Sequence, residues 1–291
     1  MSAPKKLIIN ADGYGFTPGV NAGIIKTFEF GLVKSTSCTP NFGFLEDVGK
    51  VAQQFPEVSF GIHFNLSVGP PLASPSRVSS LLGSNGEFHA PSLLKRLLTG
   101  KIEYSHLVEE LSSQAAILAD AGVRISHWDG HQNKHLYPIY YAAALEVARK
   151  FGIKGIRTHR RQLFGNSGPI PFTGLISYYT THPSRLITHA GGRLRAKQAI
   201  QNGHKMADRL ITPGYADSSH KSERSFWHVL AETLPYGVSE IYCHPAYPDD
   251  LLRAHAKYVE QRALEVEHLT DPTLRAAFEE NQIELISFHQ I

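Results

Sequence analysis

Cysteine is nearly missing from this chain: Cys38 and Cys243 are its only two in 291 residues. Two thiols cannot build a disulfide framework, so the fold must rest on an apolar core, and a reducing compartment is expected. Long apolar runs are missing too, with no stretch near the roughly 18 residues that a membrane helix needs. The opening residues, Met1 to Lys6, run directly into a short strand-like segment without the apolar region of a signal peptide, so the expected location is the cytoplasm. Charge of one sign is not in large excess. Lys and Arg number 29 against 26 Asp and Glu, and a net +3 argues only weakly for an acidic partner. The basic residues from 185 to 209 show no interleaved aromatics, so no nucleic-acid partner is expected. A phosphate-cradling glycine loop and a dense carboxylate cluster are both absent, which disfavours phosphoester chemistry.

What the chain does have is an alternation of β-branched runs with helical stretches. Lys5-Lys6-Leu7-Ile8-Ile9-Asn10 reads as a short buried strand, and Thr17-Pro18 as the cap and first turn of a helix running to Phe30 and stopped by Gly31. A second such unit follows at 32–55, a third strand at 59–66 and further helices and strands from 107 onward, and the chain closes with a long helix, Leu251 to His268, and a terminal strand, Ile283 to Phe288. Such alternation predicts a parallel sheet with helical crossovers, and at this length a single α/β domain spanning 1–291, a distorted (β/α) TIM-like barrel. Residues 177–212 mix basic side chains with Gly191-Gly192 and read as an insertion beside the barrel. Residues 68–89, rich in Gly, Pro and Ser, read as a long loop over one face.

Sixteen histidines are the compositional anomaly, and position decides which of them matter. His127, His131 and His135 fall with Asp129 in one nine-residue stretch at a strand-to-helix turn, where alternation points His127, Asp129 and His131 to one side. Asn10 and Asp12, His63 and Asn65, and Cys243 and His244 also lie at or just beyond strand ends. In an α/β barrel those ends share the face that carries the active site. Histidines and a carboxylate converging from separate strands suit a divalent cation, which can activate water and polarise a carbonyl for amide or ester hydrolysis. Zn is favoured; Mg, Co, Ni and Mn also suit such donors. Asp12 is placed to act as base or ligand, and His244 to protonate a leaving amine. Trp128, Tyr14, Phe64 and Tyr247 are aromatic candidates for stacking on a sugar, each of a kind more often found packing a core.

Four ordered motifs carry a resemblance over nearly the whole chain, from residue 5 to about 288: Leu7 to Gly15, Gly61 to Leu66, His127 to His131 with His135 to Pro138, and Cys243 to Ala246. In order and spacing they resemble the YdjC-like (ChbG/HpnK) carbohydrate deacetylase family. The resemblance implies a barrel-like fold and metal-dependent removal of the acetyl group from an N-acetylated amino sugar, in a chitooligosaccharide or an N-acetylglucosaminyl glycolipid of the hopanoid type. It also implies His63 and His131 as histidine metal ligands, Asp12 as base, His244 as the histidine of the Cys-His-Pro motif, and Arg157 as a holder of a carboxylate or substrate oxygen. Two positions depart from the pattern. Gly13 stands where the family has its carboxylate ligand, and Asn133 where it has a second histidine. Asp12 or Asp129 is then expected to supply the missing anion, giving Asp12, His63 and His131 as the metal set with Asp129 in reserve. The alternative is a catalytically diverged carbohydrate-binding member of the same fold. A homo-oligomer is compatible with either.

Overall fold

The opening apolar run becomes a ten-residue strand, β1 (Lys5–Tyr14), buried without a break from Leu7 to Asp12. Continuous burial on both faces is what a central parallel strand requires. In the computed structural model, which describes residues 4–213 and 223–291, β1 is flanked by its neighbours on both sides. The Thr17 hydroxyl accepts the Val20 N–H at 3.2 Å and starts α1 (Pro18–Phe30), and Gly31, at φ +81°, ends it. Then come β2 (Ser35–Cys38), α2 (Val48–Gln54) and β3 (Ser59–Phe64). The 68–89 segment holds short 3-10 turns and an antiparallel bridge from Leu82 to Phe88, before α3 (Leu93–Leu98) and α4 (Tyr104–Asp120). A buried carboxylate anchors that loop: Glu110 of α4 accepts from the Leu72 and Ala73 N–H groups, Asn41 and Gln114.

The chain continues through β4 (His127–Gly130), α5 (Pro138–Lys150), β5 (Gly155–Ile156), β6 (Arg161–Gly165) and β7 (Gly168–Pro169). A helical hairpin follows, α6 (Phe172–Thr181) and α7 (Pro183–Gln201), then β8 (Arg209–Pro213), α8 (Arg224–Thr233) and β9 (Gly237–Cys243). Three helices, α9 (Asp250–His255), α10 (Gln261–Leu269) and α11 (Pro272–Glu280), precede β10 (Ile283–Leu285). The strand order is β5-β4-β3-β2-β1-β9-β8-β6-β7, with β10 paired to β1, and among the described strands every pairing is parallel except β6 with β7. A parallel bridge from Gly155 to Lys205, shortly before β8, links the β5 edge back toward the other end of the sheet. This is the expected distorted barrel.

Two expectations need correction. The helix expected from Leu251 to His268 is two helices, because Ala256 is extended at φ −131°, ψ 148° and the break brings Lys257 and Tyr258 to a cavity wall. The stretch 177–212 is not all insertion: it begins inside α6 and runs into β8, a strand of the main sheet. Among the described residues no helix is long and apolar enough to cross a membrane.

Candidate active site

Register brings the polar strand ends together. Asp12 of β1 pairs with Ser37 of β2, and His63 of β3 with Asp129 of β4. His63 Nδ1 lies 2.6 Å from Asp129 Oδ1, and Ser37 donates to Asp129 Oδ2 at 3.0 Å. Asn10, fixed by the Ser35 hydroxyl at 2.6 Å, donates to Asp12 Oδ1 at 2.8 Å. Arg157, just past β5, binds both oxygens of Asp12, reaches Asp129 Oδ2 at 2.7 Å and donates through Nε to Glu240 of β9 at 2.9 Å. One guanidinium thus serves three buried carboxylates.

The electrostatics follow from that imbalance. Burial raises the Glu240 carboxyl to about 7 in spite of Arg157, with Asp129 adding to the rise. Burial would also raise Asp129, but Arg157 and His63 hold it well below the ordinary carboxylate range. Burial works against protonation of His63, and Asp129 more than reverses this, so His63 is raised. His131 is lowered to about 3 by burial and by His63, and is therefore a neutral imidazole at pH 7, the form that ligates metals.

A cavity of about 480 Å³ opens above this floor, lined by Asp12, His63, His131, Arg157, His244 and Tyr258 among others. His244 Nε2 stands 4.0 Å from Asp12 Oδ2. Its position is set from behind: Glu265 accepts the His244 N–H through one carboxylate oxygen and the Tyr258 hydroxyl through the other.

The donor chemistry fits a divalent cation. Asp12, His63 and Asp129 each offer an atom within 4.8 Å of the others, and all three are buried. Asp12, Asp129 and Glu240 share the one Arg157 guanidinium, and a cation would neutralise charge left over among them. His131 lies outside this group of three, although its ring centroid is 5.5 Å from that of His63. The structure therefore joins Asp12 with His63 as expected, and brings in Asp129. At Gly13 the backbone has φ +104°, and an added Cβ would meet nothing nearer than 3.9 Å. Space exists there; conformation is the obstacle.

Other expected site residues are placed elsewhere. Trp128 is fully buried, with its ring against Phe64, Tyr141, His135 and His204, so it cannot stack on a substrate. His127 keeps its expected side of β4 but sits two residues deeper than Asp129, stacked on Phe288 with ring centroids 3.8 Å apart. His135 meets His159, Nε2 to Nε2, at 2.9 Å. Asn65 folds the following turn, accepting from the Ser67 and Val68 N–H groups. Sequence reasoning missed Glu240, Ser37 and Glu265. Only Glu240 had a visible signal, a carboxylate in the middle of an apolar strand, a place where glutamate is depleted.

Glu240 gives a pH test on metal-free protein. Its folded value, about 7, exceeds the ordinary glutamate value, so the folded state binds the extra proton and stability falls as pH rises from about 4.5 to 7. Glu240→Gln is expected to remove about 2–4 kcal/mol of that decline. Thermal melts of both proteins from pH 5 to 8 check it, and equal slopes would refute it.

The chain is similar to known proteins over nearly its whole length. Residues 6–280 match the family model described as YdjC-like protein. A carbohydrate deacetylase of Geobacillus stearothermophilus is 29% identical over 290 residues, covering 99% of this chain and 98% of that one. One from Thermoanaerobacter pseudethanolicus is 28% identical over 287 residues, covering 98% of each. A solved structure from Enterococcus faecalis, named as a candidate cellobiose-phosphate cleavage protein, superposes with TM-score 0.73 at 26% identity and covers 99% of both chains.

Proposed function

The chain belongs to the family of YdjC-like proteins, and from that premise we propose that it is a carbohydrate deacetylase, hydrolysing the acetamide of an N-acetylated amino sugar at the Asp12–His63–Asp129 floor. The observation that carries this reading is that buried donor group, whose Asp12 and His63 line the cavity, with a histidine 4.0 Å across from Asp12. Asp12, His63 and Asp129 would hold a divalent ion, with His131 as the neutral imidazole beside them and Zn favoured. Such an ion polarises an acetyl carbonyl and acidifies water.

The chain's own groups do the rest. Asp12, its carboxylate fixed by Arg157 and Asn10, takes the proton of the attacking water. His244, oriented through its backbone by Glu265, delivers a proton to the departing amine nitrogen. Arg157, through its contacts to Asp12, Asp129 and Glu240, holds the carboxylates in place at the cavity wall. A chitooligosaccharide or an N-acetylglucosaminyl glycolipid would supply the acetamide.

Acetate release from N-acetylglucosamine oligomers and from a glycolipid, after chelation and again with Zn, Co, Ni, Mg or Mn restored, tests the proposal. Release restored by metal supports it; no release under any condition, with sugar binding retained, favours the diverged binding protein. Arg157's occupation of both Asp12 oxygens is the observation on that second reading's side. Gly13→Asp separates the two further. It costs about 1–3 kcal/mol of backbone strain, and the added anion is expected to tighten Zn binding at least about tenfold by titration. Unchanged affinity would show that position 13 does not face the ion.

A further inference from the structure

The acidic residues are distributed unevenly. From Val147 to Ala207 the chain has eleven Lys and Arg and not one Asp or Glu, while the remainder carries eighteen basic residues against all twenty-six acidic ones. This segment includes the α6–α7 hairpin. On α7 the buried residues His189, Gly192, Ala196 and Ala199 share one side. Ile187 and Leu194, seven positions apart, fall on the opposite side at 74% and 59% exposure. Phe172 and Ile176 of α6 are 76% and 52% exposed, and Arg185, Arg193 and Lys197 are exposed beside the apolar positions of α7.

Between this hairpin and strands β6 and β8 lies a cavity of about 1010 Å³, walled by Leu163, Ile170, Phe172 and Leu175 and edged by Arg160, Arg161, Arg193 and Arg209. It shares no residue with the catalytic cavity. Arg161 aligns through Leu210 and Glu240 with Ile8, four residues before Asp12 on β1, so the two cavities open at different levels of the barrel. Burial, together with the charges of Arg161, Arg185 and Arg193, lowers His189, which lines this cavity, to about 4, so the surroundings are cationic. Among the described lining residues Asp208 is the one carboxylate, and it accepts the Val238 N–H.

We propose that the α6–α7 hairpin docks the protein on an anionic lipid bilayer, with Ile187, Leu194 and Phe172 entering the interface and the adjoining cavity receiving one acyl chain. Large exposed apolar side chains on a cationic helical face are the combination that interfacial binding uses. Charge favours this occupant over a second copy of the chain, since an isologous contact would set the acid-free face against itself. The inference is independent of the deacetylase reading, because none of these residues lies in the catalytic cavity.

Co-sedimentation of the full chain with phosphatidylcholine vesicles, with and without 30% phosphatidylglycerol, at low salt and at high salt, tests it. Binding is expected only with the anionic lipid, is screened by salt, and falls at least about tenfold in I187E/L194E and in R185E/R193E. Both pairs are exposed, so unchanged melting temperature and unchanged acetate release from a soluble oligosaccharide serve as controls. Absence of vesicle binding, or binding indifferent to the anionic lipid or to both variants, overturns the proposal. So does a dimer in analytical ultracentrifugation that L194E dissociates in the absence of lipid binding.

Discussion

Replacing Arg157 by Met is expected to lower stability by about 3–5 kcal/mol, because the change strands buried carboxylates without their cation. Asp12, Asp129 and Glu240 are at most 3% exposed, and all three contact this guanidinium. For a chain of this size the melting temperature should drop by roughly 10 °C. The loss should also depend on pH in a stated direction. In the native protein Asp129 is held low, so its contribution is present above the ordinary aspartate range and is lost as pH falls. Without Arg157 the carboxyls are pushed up and the folded state must take on protons. The variant's deficit should therefore be larger at pH 8 than at pH 5.5, in melts of chelated protein. Arg157→Lys should recover only part of it, since an ammonium cannot bind both Asp12 oxygens and still reach Asp129 and Glu240. A variant as stable as the parent at pH 8 would mean that the carboxylates find another neutraliser.

The second large effect is expected at Asp12. Asp12→Asn keeps the shape and the Asn10 neighbour but removes the charge and the proton acceptor, and kcat for acetate release should fall about 10²–10⁴-fold. Metal content decides how it acts. Asp12 acting as base alone would lose turnover with the bound metal retained; acting as ligand as well, it would lose both together. Equal activity in parent and variant would remove Asp12 from the chemistry.

Much of this was legible in the sequence. The alternation of strands and helices identified the barrel, and the strand-end groups around Asp12, His63, Asp129 and His244 do share one face. What was not legible depended on partners remote in the chain. Arg157 could be picked out, but its three carboxylates come from β1, β4 and β9, and only the register assembles them. Trp128 looked like a sugar platform because strand alternation does not say which of two buried faces a side chain fills. In this strand Asp129 turns toward Asp12 and His63, beneath the cavity, and Trp128 toward Tyr141 of α5. The break in the expected Leu251–His268 helix has no glycine or proline to announce it. The cationic, acid-free character of 147–207 was readable from composition alone, whereas its exposed apolar face required the packing of α7 against the barrel.

The most direct test of the central claim is a crystal structure of the Zn- or Co-loaded protein with anomalous scattering recorded at the metal edge. The account predicts one peak at the cavity floor, within about 2.0–2.2 Å of donor atoms from His63 and from Asp12 or Asp129. A peak with neither carboxylate in reach, or no peak there in protein that still releases acetate, would contradict it.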